Sequence, residues 1–568
     1  MHPVLQVVEL LHIIFEHLKP KDQFSCATVC RLWSEVTLDI LWYELDDLKL
    51  PVFASLLSPL KEEENVSHQE NAENSEDTKL SYAFADDPPN ANSKDWRRFE
   101  LNYCSRIRVL RFEGNLEGMH KHMFSPVLMA LQRIRPPSSP LLPNLHALTW
   151  DGTFYDFAHS VMFMHEGVRH CCMRYGIDDV PKLDLNEFPL VQAIQTRMLS
   201  LTSLELEMVP YEELLGPLAE LFGYLVDLTS LLIPIFPDIT PILSSLSNAK
   251  KLNSLQITGH EDDVDNSVVQ AGGQLEGDAL KSLGVLEIIV QSYLKTLSPF
   301  LSCNHLASLH TLEVESCSVE TAVTIKNLFQ LVPSFAPNLV GCMFGFLENG
   351  EECREHFESH RIYSNSLTLD SFRGILQCRG IEAFQLDHPN LHLTNSDIEE
   401  IASAWPRLKS FEVYSTLPFH VRDIPTPTLR ALFTLTRLCP NLEEVGLLMD
   451  TDLFNDSKDR PAYANMVISA ARPNLMNLEV GCSEIGPGDA ASVARTLSHV
   501  CRPDCQLSWA DTGRTMMARW KTVEENLPLF SRLHATVKDQ KTRISFLEQE
   551  LETLQERISG YQGACGGL

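Results

Sequence analysis

At 568 residues the chain is long enough for several structural units, roughly three to five by the ordinary size of domains. With 44% hydrophobic and 21% charged residues it has a globular composition, and 46 basic against 76 acidic residues leave a net charge of −30, which argues against nucleic acid as a partner. Fifteen cysteines over this length are no disulfide scaffold, and 83 leucines, about one residue in seven, point to helices or a leucine-based repeat.

The chain opens on MHPVLQVVELLHIIFEHL, which has no basic leader and is broken by Glu9, His12 and Glu16. It is a poor signal peptide. No uninterrupted apolar run reaches membrane-spanning length, so no membrane association is expected, and the expected compartment is cytoplasmic and/or nuclear. Val7, Leu10, Leu11, Ile14, Phe15 and Leu18 fall instead on one helical stripe. Pro20 ends that helix or turns the chain, Asp22 is placed to cap a second, and a third segment ends in Leu38, Ile40, Leu41 and Trp42. Three short helices within residues 1–50 bury little surface, and their surplus of large apolar side chains predicts an interaction patch.

Glu9-Leu10-Leu11, Ile14, Leu18, Pro20, Asp22, Val29-Cys30-Arg31, Trp33 and Leu41-Trp42 together resemble an F-box, whose pattern is roughly L-P-x-E-L-L, L-x-P-x-D-L, V-C-x-x-W and L-W. Val7 stands where that family opens with proline, and Gln23 replaces an apolar residue. The resemblance implies docking on the small adaptor subunit of an SCF-type cullin–RING ubiquitin ligase, and through it on a cullin, while the rest of the chain holds a protein substrate. The adaptor-binding set it implies is Leu10, Leu11, Ile14, Phe15, Leu18, Pro20, Val29, Leu41 and Trp42, some of which must instead hold the helices together. The competing reading is a helical cap on a downstream array of repeats.

From Lys61 to Asp95 come ten acidic residues, three lysines, many Asn and Ser, and few large apolar side chains. Such a stretch buries too little to offset its ordering entropy, so residues 51–100 are expected to be an acidic, largely disordered linker. It reads either as a passive tether or as a phosphorylation-regulated segment, with Ser67 and Ser75 among acids. Asp95-Trp96-Arg97-Arg98-Phe99 restarts a helix. An F-box, a gap, an Asp-Trp helix and the run RIRVL also resemble a large family of fungal F-box proteins with irregular leucine-rich repeats.

Over 101–510 an apolar residue recurs at positions 0, +3 and +5. Twelve such triplets start at Ile107, Leu145, Leu201, Leu228, Leu252, Leu283, Leu309, Leu339, Ile381, Leu408, Leu442 and Leu475. Positions +3 and +5 share one face of a short strand, and the remaining residues of each unit have the length to return as a helix. Stacked units predict a parallel-stranded, α/β leucine-rich-repeat solenoid, a horseshoe. The alternative, coincidence within a helical array, sits poorly with Val, Ile and Phe at +5. The 56 residues between Leu145 and Leu201 hold an insertion or an unseen repeat.

Position +4 lies between two core-facing positions and so points to the open, concave face. Candidate substrate contacts there are Glu205, Leu232, Glu287, Glu313, Met343, Glu412 and Glu479. Five glutamates suit a basic segment of substrate; the plainer reading is that they keep the sheet soluble.

His165 and His170 imitate a zinc-protease motif but at i, i+5, about 140° apart on a helix. With no phosphate-binding or nucleophile motif in the chain, no catalytic residue, metal or cofactor is expected. In the segment 511–568, Ile544, Leu547, Leu551, Leu554 and Ile558 repeat at coiled-coil spacing, either as an intermolecular seam or as a helix packed back on the repeats. The expectation is a non-catalytic substrate receptor; the alternative is an F-box and leucine-rich-repeat interaction scaffold outside degradation.

Overall fold

A computed structural model describes residues 6–65, 79–86, 93–112, 125–135, 140–152, 158–175, 189–258, 271, 280–293, 297, 300, 306–316, 319–346, 366–388, 391–414, 426–451, 474–510 and 514–565. The chain divides into two compact units, Met1–Gln291 with Lys295–Ser308, and Ser292–Leu294 with Leu309–Leu568.

The first unit begins with α1 (Val8–Glu16), α2 (Pro20–Ala27) and α3 (Arg31–Leu41). Leu11 and Phe15, one turn apart on α1, meet Val36 of α3 in a small core flanked by Leu18, Cys26, Leu32, Trp33 and Ile40. Pro20 occupies the first turn of α2, where its missing N–H costs nothing. Gln23 is buried where an apolar residue would be expected, and its Nε2 donates to the Phe15 carbonyl at 2.9 Å, so the polar group is satisfied.

Strand β1 (Glu44–Leu45) follows α3 at once, and α4 (Leu50–Ser55) comes next. Then β2 (Leu60–Asn65) pairs antiparallel with β3 (Lys79–Phe84), and α5 (Lys94–Phe99) leads to β4 (Val109–Phe112). β1 pairs in parallel with β4, Glu44 opposite Val109 and Leu45 opposite Leu110. Trp42 and Leu45 thus take positions 0 and +3 of a further repeat, and the end of the three-helix segment is itself the first rung of the sheet. The described parts of 51–100 are two helices and a hairpin, so the expected disordered linker gives way there to ordered structure. This stretch lies between two paired strands and does not separate the helices from the repeats. Ser67 and Ser75 lie outside the described residues.

The rest of the unit alternates helix and strand. In chain order come α6 (Ser125–Ile134), β5 (Ala147–Gly152), β6 (His170–Tyr175), α7 (Pro189–Arg197), β7 (Ser203–Glu207), α8 (Glu212–Tyr224), β8 (Ser230–Ile233), α9 (Thr240–Ser245), β9 (Ser254–Ile257) and β10 (Val285–Val290). From β4 to β10 each strand pairs in parallel with the next. β6 is the repeat missing from the 56-residue interval: Val168, Cys171 and Met173 fill positions 0, +3 and +5 and are all buried.

One main-chain joint stacks the repeats. The carbonyl at +1 accepts from the N–H groups at +1 and +2 of the next repeat: Tyr43 from Arg108 and Val109, Arg108 from His146 and Ala147, His146 from Arg169 and His170, and so on to Asn253 from Gly284 and Val285. In the second unit the joint runs from His310 with Val340 and Gly341 to Glu443 with Met476 and Asn477. Because it uses only backbone atoms, side-chain irregularity is tolerated.

The second unit contains β11 (Thr311–Ser316), α10 (Ala322–Phe335), β12 (Gly341–Phe346), α11 (Leu369–Phe372), β13 (Ala383–Asp387), α12 (Asn395–Ala404), β14 (Ser410–Tyr414) and α13 (Arg430–Leu438). It ends with β15 (Glu444–Leu447), β16 (Leu475–Glu479), α14 (Ala490–Leu497), β17 (Cys501–Ser508) and α15 (Arg514–Cys565). Strands β11 to β17 pair in parallel in sequence order. Thr321 caps α10, and Thr394 with Asp397 forms a reciprocal capping box on α12. The core is aromatic: Phe329 meets Phe344, Phe372 and Phe384, and Phe384 meets Trp405 and Phe411. All twelve predicted triplets are buried across the two units, each side chain at most 3% exposed. Each unit is thus a solenoid-like stack of parallel strands and helices. Among the described residues no helix is long and apolar enough to cross a membrane.

Candidate docking surfaces

The first surface is the outside of the N-terminal helices. Leu10 (40%), Ile14 (44%) and Val29 (55%) are exposed, as is Pro20. Val7, Leu10 and Ile14 follow one another at i, i+3 and i+7 on a stripe beside the inward pair Leu11 and Phe15. Three residues of the expected adaptor-binding set face inward instead. Leu11 and Phe15 form the helical core, and Trp42 packs on Phe53 and Tyr103 at the first repeat. A side chain committed to its own core offers nothing to a partner. Leu18 and Leu41 are half-buried. Ile13 and Phe24, absent from that set, are among the most exposed apolar side chains of the segment. Their signal was positional: both lie off the inward stripes.

Arg106, just before the first triplet, ion-pairs with both Glu35 and Asp39 of α3. Its guanidinium also donates to the Glu35 carbonyl at 3.1 Å. Together with the β1–β4 pairing this fixes the helices on the repeats.

The second is, in each unit taken by itself, the sheet face that the helices leave open. Position +4 does point away from the buried triplets. In the first unit the in-register row is Arg111, Thr149, Cys172, Glu205, Leu232, Gln256 and Glu287. Glu205 sits beside Leu232, and Gln256 joins Leu232 to Glu287, donating to the Glu287 carboxylate at 2.6 Å. Cys172 takes the +4 position of the repeat inside the 56-residue interval, whose mark in the sequence is the triplet Val168-x-x-Cys171-x-Met173. A cavity of about 300 Å³ opens there between Arg111, Thr149, His170, Cys172, Arg174 and Glu205.

The ligand atoms of Cys172, Glu205 and Glu207 lie within 4.8 Å of one another. Arg174 pairs with Glu207 at 3.0 Å and places a fixed positive charge at this cluster. Burial pushes the Cys172 thiol up to about 12; Arg174 opposes this, and Glu205 and Glu207 reinforce it. The thiol is therefore a neutral hydrogen-bonding group at neutral pH. His165 and His170 do not share a helix: His165 braces a turn, bonded to the Leu142 carbonyl at 2.9 Å and the Gly167 N–H at 3.0 Å, while His170 starts β6.

In the second unit the row is Glu313, Met343, Gln385, Glu412, Gly446 and Glu479. Burial, then Glu479 and Glu444, push the Glu412 carboxyl above its ordinary value. The candidate contacts Glu313, Met343, Glu412 and Glu479 thus form one continuous ladder, and Glu205, Leu232 and Glu287 belong to another.

Residues 8–47 match the F-box-like family. No match is found among curated proteins. Among solved structures, the crystal structure of the Rad7 and Elc1 complex in yeast is similar at a TM-score of 0.35 and 15% identity, over 90% of this chain and 94% of that chain. The crystal structure of a Bacteroides fragilis protein is similar at a TM-score of 0.25 and 14% identity, over 49% of this chain and 65% of that one. Neither likeness carries function. The family match starts with α1 and ends just past β1, so residues 8–47 are an F-box-like domain whose last residues build the first strand of the repeat sheet.

Proposed function

We propose that this chain is the substrate-recognition subunit of an SCF-type cullin–RING ubiquitin ligase. The supporting observation is the F-box-like domain at 8–47 with Leu10, Ile13, Ile14, Phe24 and Val29 exposed on it. Exposed apolar side chains on so small a unit suit an adaptor docked through apolar contacts. The open sheet face of each unit is a place for substrate: Glu205 and Glu287 favour a basic segment with Leu232 as apolar foothold in the first, and Glu313, Glu412 and Glu479 do so with Met343 in the second. The chain supplies proximity and no chemistry of its own: it raises the concentration of substrate beside a ubiquitin-charged enzyme. The fused β1–β4 junction suits this role, because substrate on the first unit's sheet face then follows the F-box-like domain without slack.

Affinity purification of the full-length chain tests the reading. The parent should bring down the adaptor and a cullin, and Leu10→Asp with Ile14→Asp should lose both while keeping substrates. Adaptor without cullin would support the non-degradative scaffold. Undiminished adaptor on the folded double variant would overturn the assignment of this surface.

A further inference from the structure

Helix α15 changes character along its length. Trp520, Val523 and Leu527 are buried, and the Trp520 Nε1 donates to the Ser483 carbonyl at 2.8 Å. Past His534 every described side chain as far as Gln555 is exposed. From Leu533 onward the helix carries Leu533, Val537, Ile544, Leu547, Leu551 and Leu554, each between 39% and 57% exposed.

We propose that this half of α15 pairs with the same segment of a second copy of the chain as a parallel two-stranded coiled coil. Leu533, Gln540, Leu547 and Leu554 occupy one seam position of the heptad, and Val537, Ile544, Leu551 and Ile558 the other. β-Branched residues at the first seam position with leucine at the fourth favour two parallel strands. One flanking charge pair agrees. Arg543 precedes the Ile544 seam position and Glu548 follows the Leu547 one, five residues on, where parallel strands bring them together across the interface. Gln540 selects the register, since only in-register strands let it meet its own copy rather than an apolar side chain. From Leu533 to Ile558 the seam spans roughly 37 Å. So short a seam is weak for free peptides, but here the docked half of α15 has already nucleated the helix, which removes most of the ordering cost. The assembly would present two copies of the F-box-like domain and of each unit's sheet face, so a repeated substrate motif would bind with avidity.

Light scattering and sedimentation of the full-length protein test this. The expected mass is twice 64.1 kDa at tens of micromolar. Leu547→Glu with Leu551→Glu should give a folded monomer. Arg543→Glu should weaken the dimer roughly tenfold, and adding Glu548→Arg should restore it. Leu554→Cys should cross-link to its own copy on oxidation. A monomeric parent, or a dimer that survives the double glutamate variant, would overturn the proposal. A dimer in which Leu554→Cys does not cross-link would overturn the parallel register.

Discussion

Glu412 and Glu479 stand on the same open face with only Gly446 in register between them, so the intervening strand offers no side chain to screen one carboxylate from the other. Two strand spacings put their backbones roughly 10 Å apart. Burial and this neighbour raise the Glu412 carboxyl above its ordinary value of 4.5. A raised folded-state value stabilises the fold below the unfolded value and loses that contribution as pH rises through the folded one. Glu412→Gln should therefore be neutral near pH 4 and stabilising at pH 7 by about 0.5 kcal/mol, the size of a like-charge cross-strand pair. Urea denaturation at the two pH values checks it; equal shifts at both would reject the repulsion. A basic substrate segment would relieve the same repulsion, so the variant should also bind substrate less well.

Neighbouring leucines on α1 should behave oppositely. Leu11 is fully buried against Phe15 and Val36, whereas Leu10 is 40% exposed. Leu11→Ala should cost about 2–4 kcal/mol, enough to unfold a three-helix segment with so small a core. Leu10→Ala should stay within about 0.5 kcal/mol of the parent. Hydrogen exchange over residues 8–41 of the full-length chain reads both. Comparable protection in the two variants would mean that the inward and outward stripes are misassigned.

The repeats were legible because apolar residues, nearly all leucine, isoleucine, valine and phenylalanine with Trp150 and Cys342 besides, keep the 0, +3, +5 spacing, and the structure buries every one. The repeat at β6 was not, because it opens on Val168 where the other triplets open on leucine or isoleucine, and it carries Cys171 and Met173 together at its strand positions; both are small or flexible enough to pack there. The rung at β1 was hidden for another reason: Trp42 and Leu45 belong at once to the F-box pattern and to the sheet. That double duty also explains why Trp42 was expected to face a partner and does not. The +4 ladders followed from strand alternation alone. Which F-box side chains face outward did not follow, since a family pattern marks core and contact residues alike.

Gly374 is needed for space. A Cβ there would come within 2.3 Å of the Phe329 carbonyl oxygen and 2.6 Å of the Gln330 nitrogen, both backbone atoms of α10. Neither atom can rotate away, so Gly374→Ala must push α10 off the turn and disturb the Phe329–Phe372 contact. A loss of about 2 kcal/mol or more is expected, as for other overpacked cores. Gly223, near the end of α8, has nothing within 4 Å of such a Cβ, and Gly223→Ala should gain up to about 0.5 kcal/mol from helix propensity. Denaturation midpoints of the two variants should move in opposite directions; two shifts of the same sign would refute the steric argument.

Acid should loosen the docked half of α15. His499, after α14, and His534 of α15 stack with ring centroids 3.8 Å apart, and His534 Nδ1 is 2.6 Å from the Ser498 hydroxyl. Burial, His534 and Arg495 lower His499 to about 4; burial and Arg495 lower His534, against the Ser498 hydrogen bond. A folded-state value below the ordinary 6.5 means that the unfolded chain takes up protons first, so stability holds at neutral pH and is lost as pH falls from about 6.5 towards 4. Stacked rings that both gain charge beside an arginine repel, and the contact that fails joins α15 to the repeats. Hydrogen exchange over residues 520–531 should therefore rise between pH 7 and pH 5 beyond the intrinsic pH effect. His499→Phe, which keeps an aromatic ring without the titration, should flatten that rise. His388, also lowered to about 4 by burial, adds acid sensitivity of the same sign elsewhere in this unit, so the comparison of variant with parent is what isolates the pair. If His499→Phe leaves the acid response of residues 520–531 unchanged, the stacked histidines do not control the docking of α15.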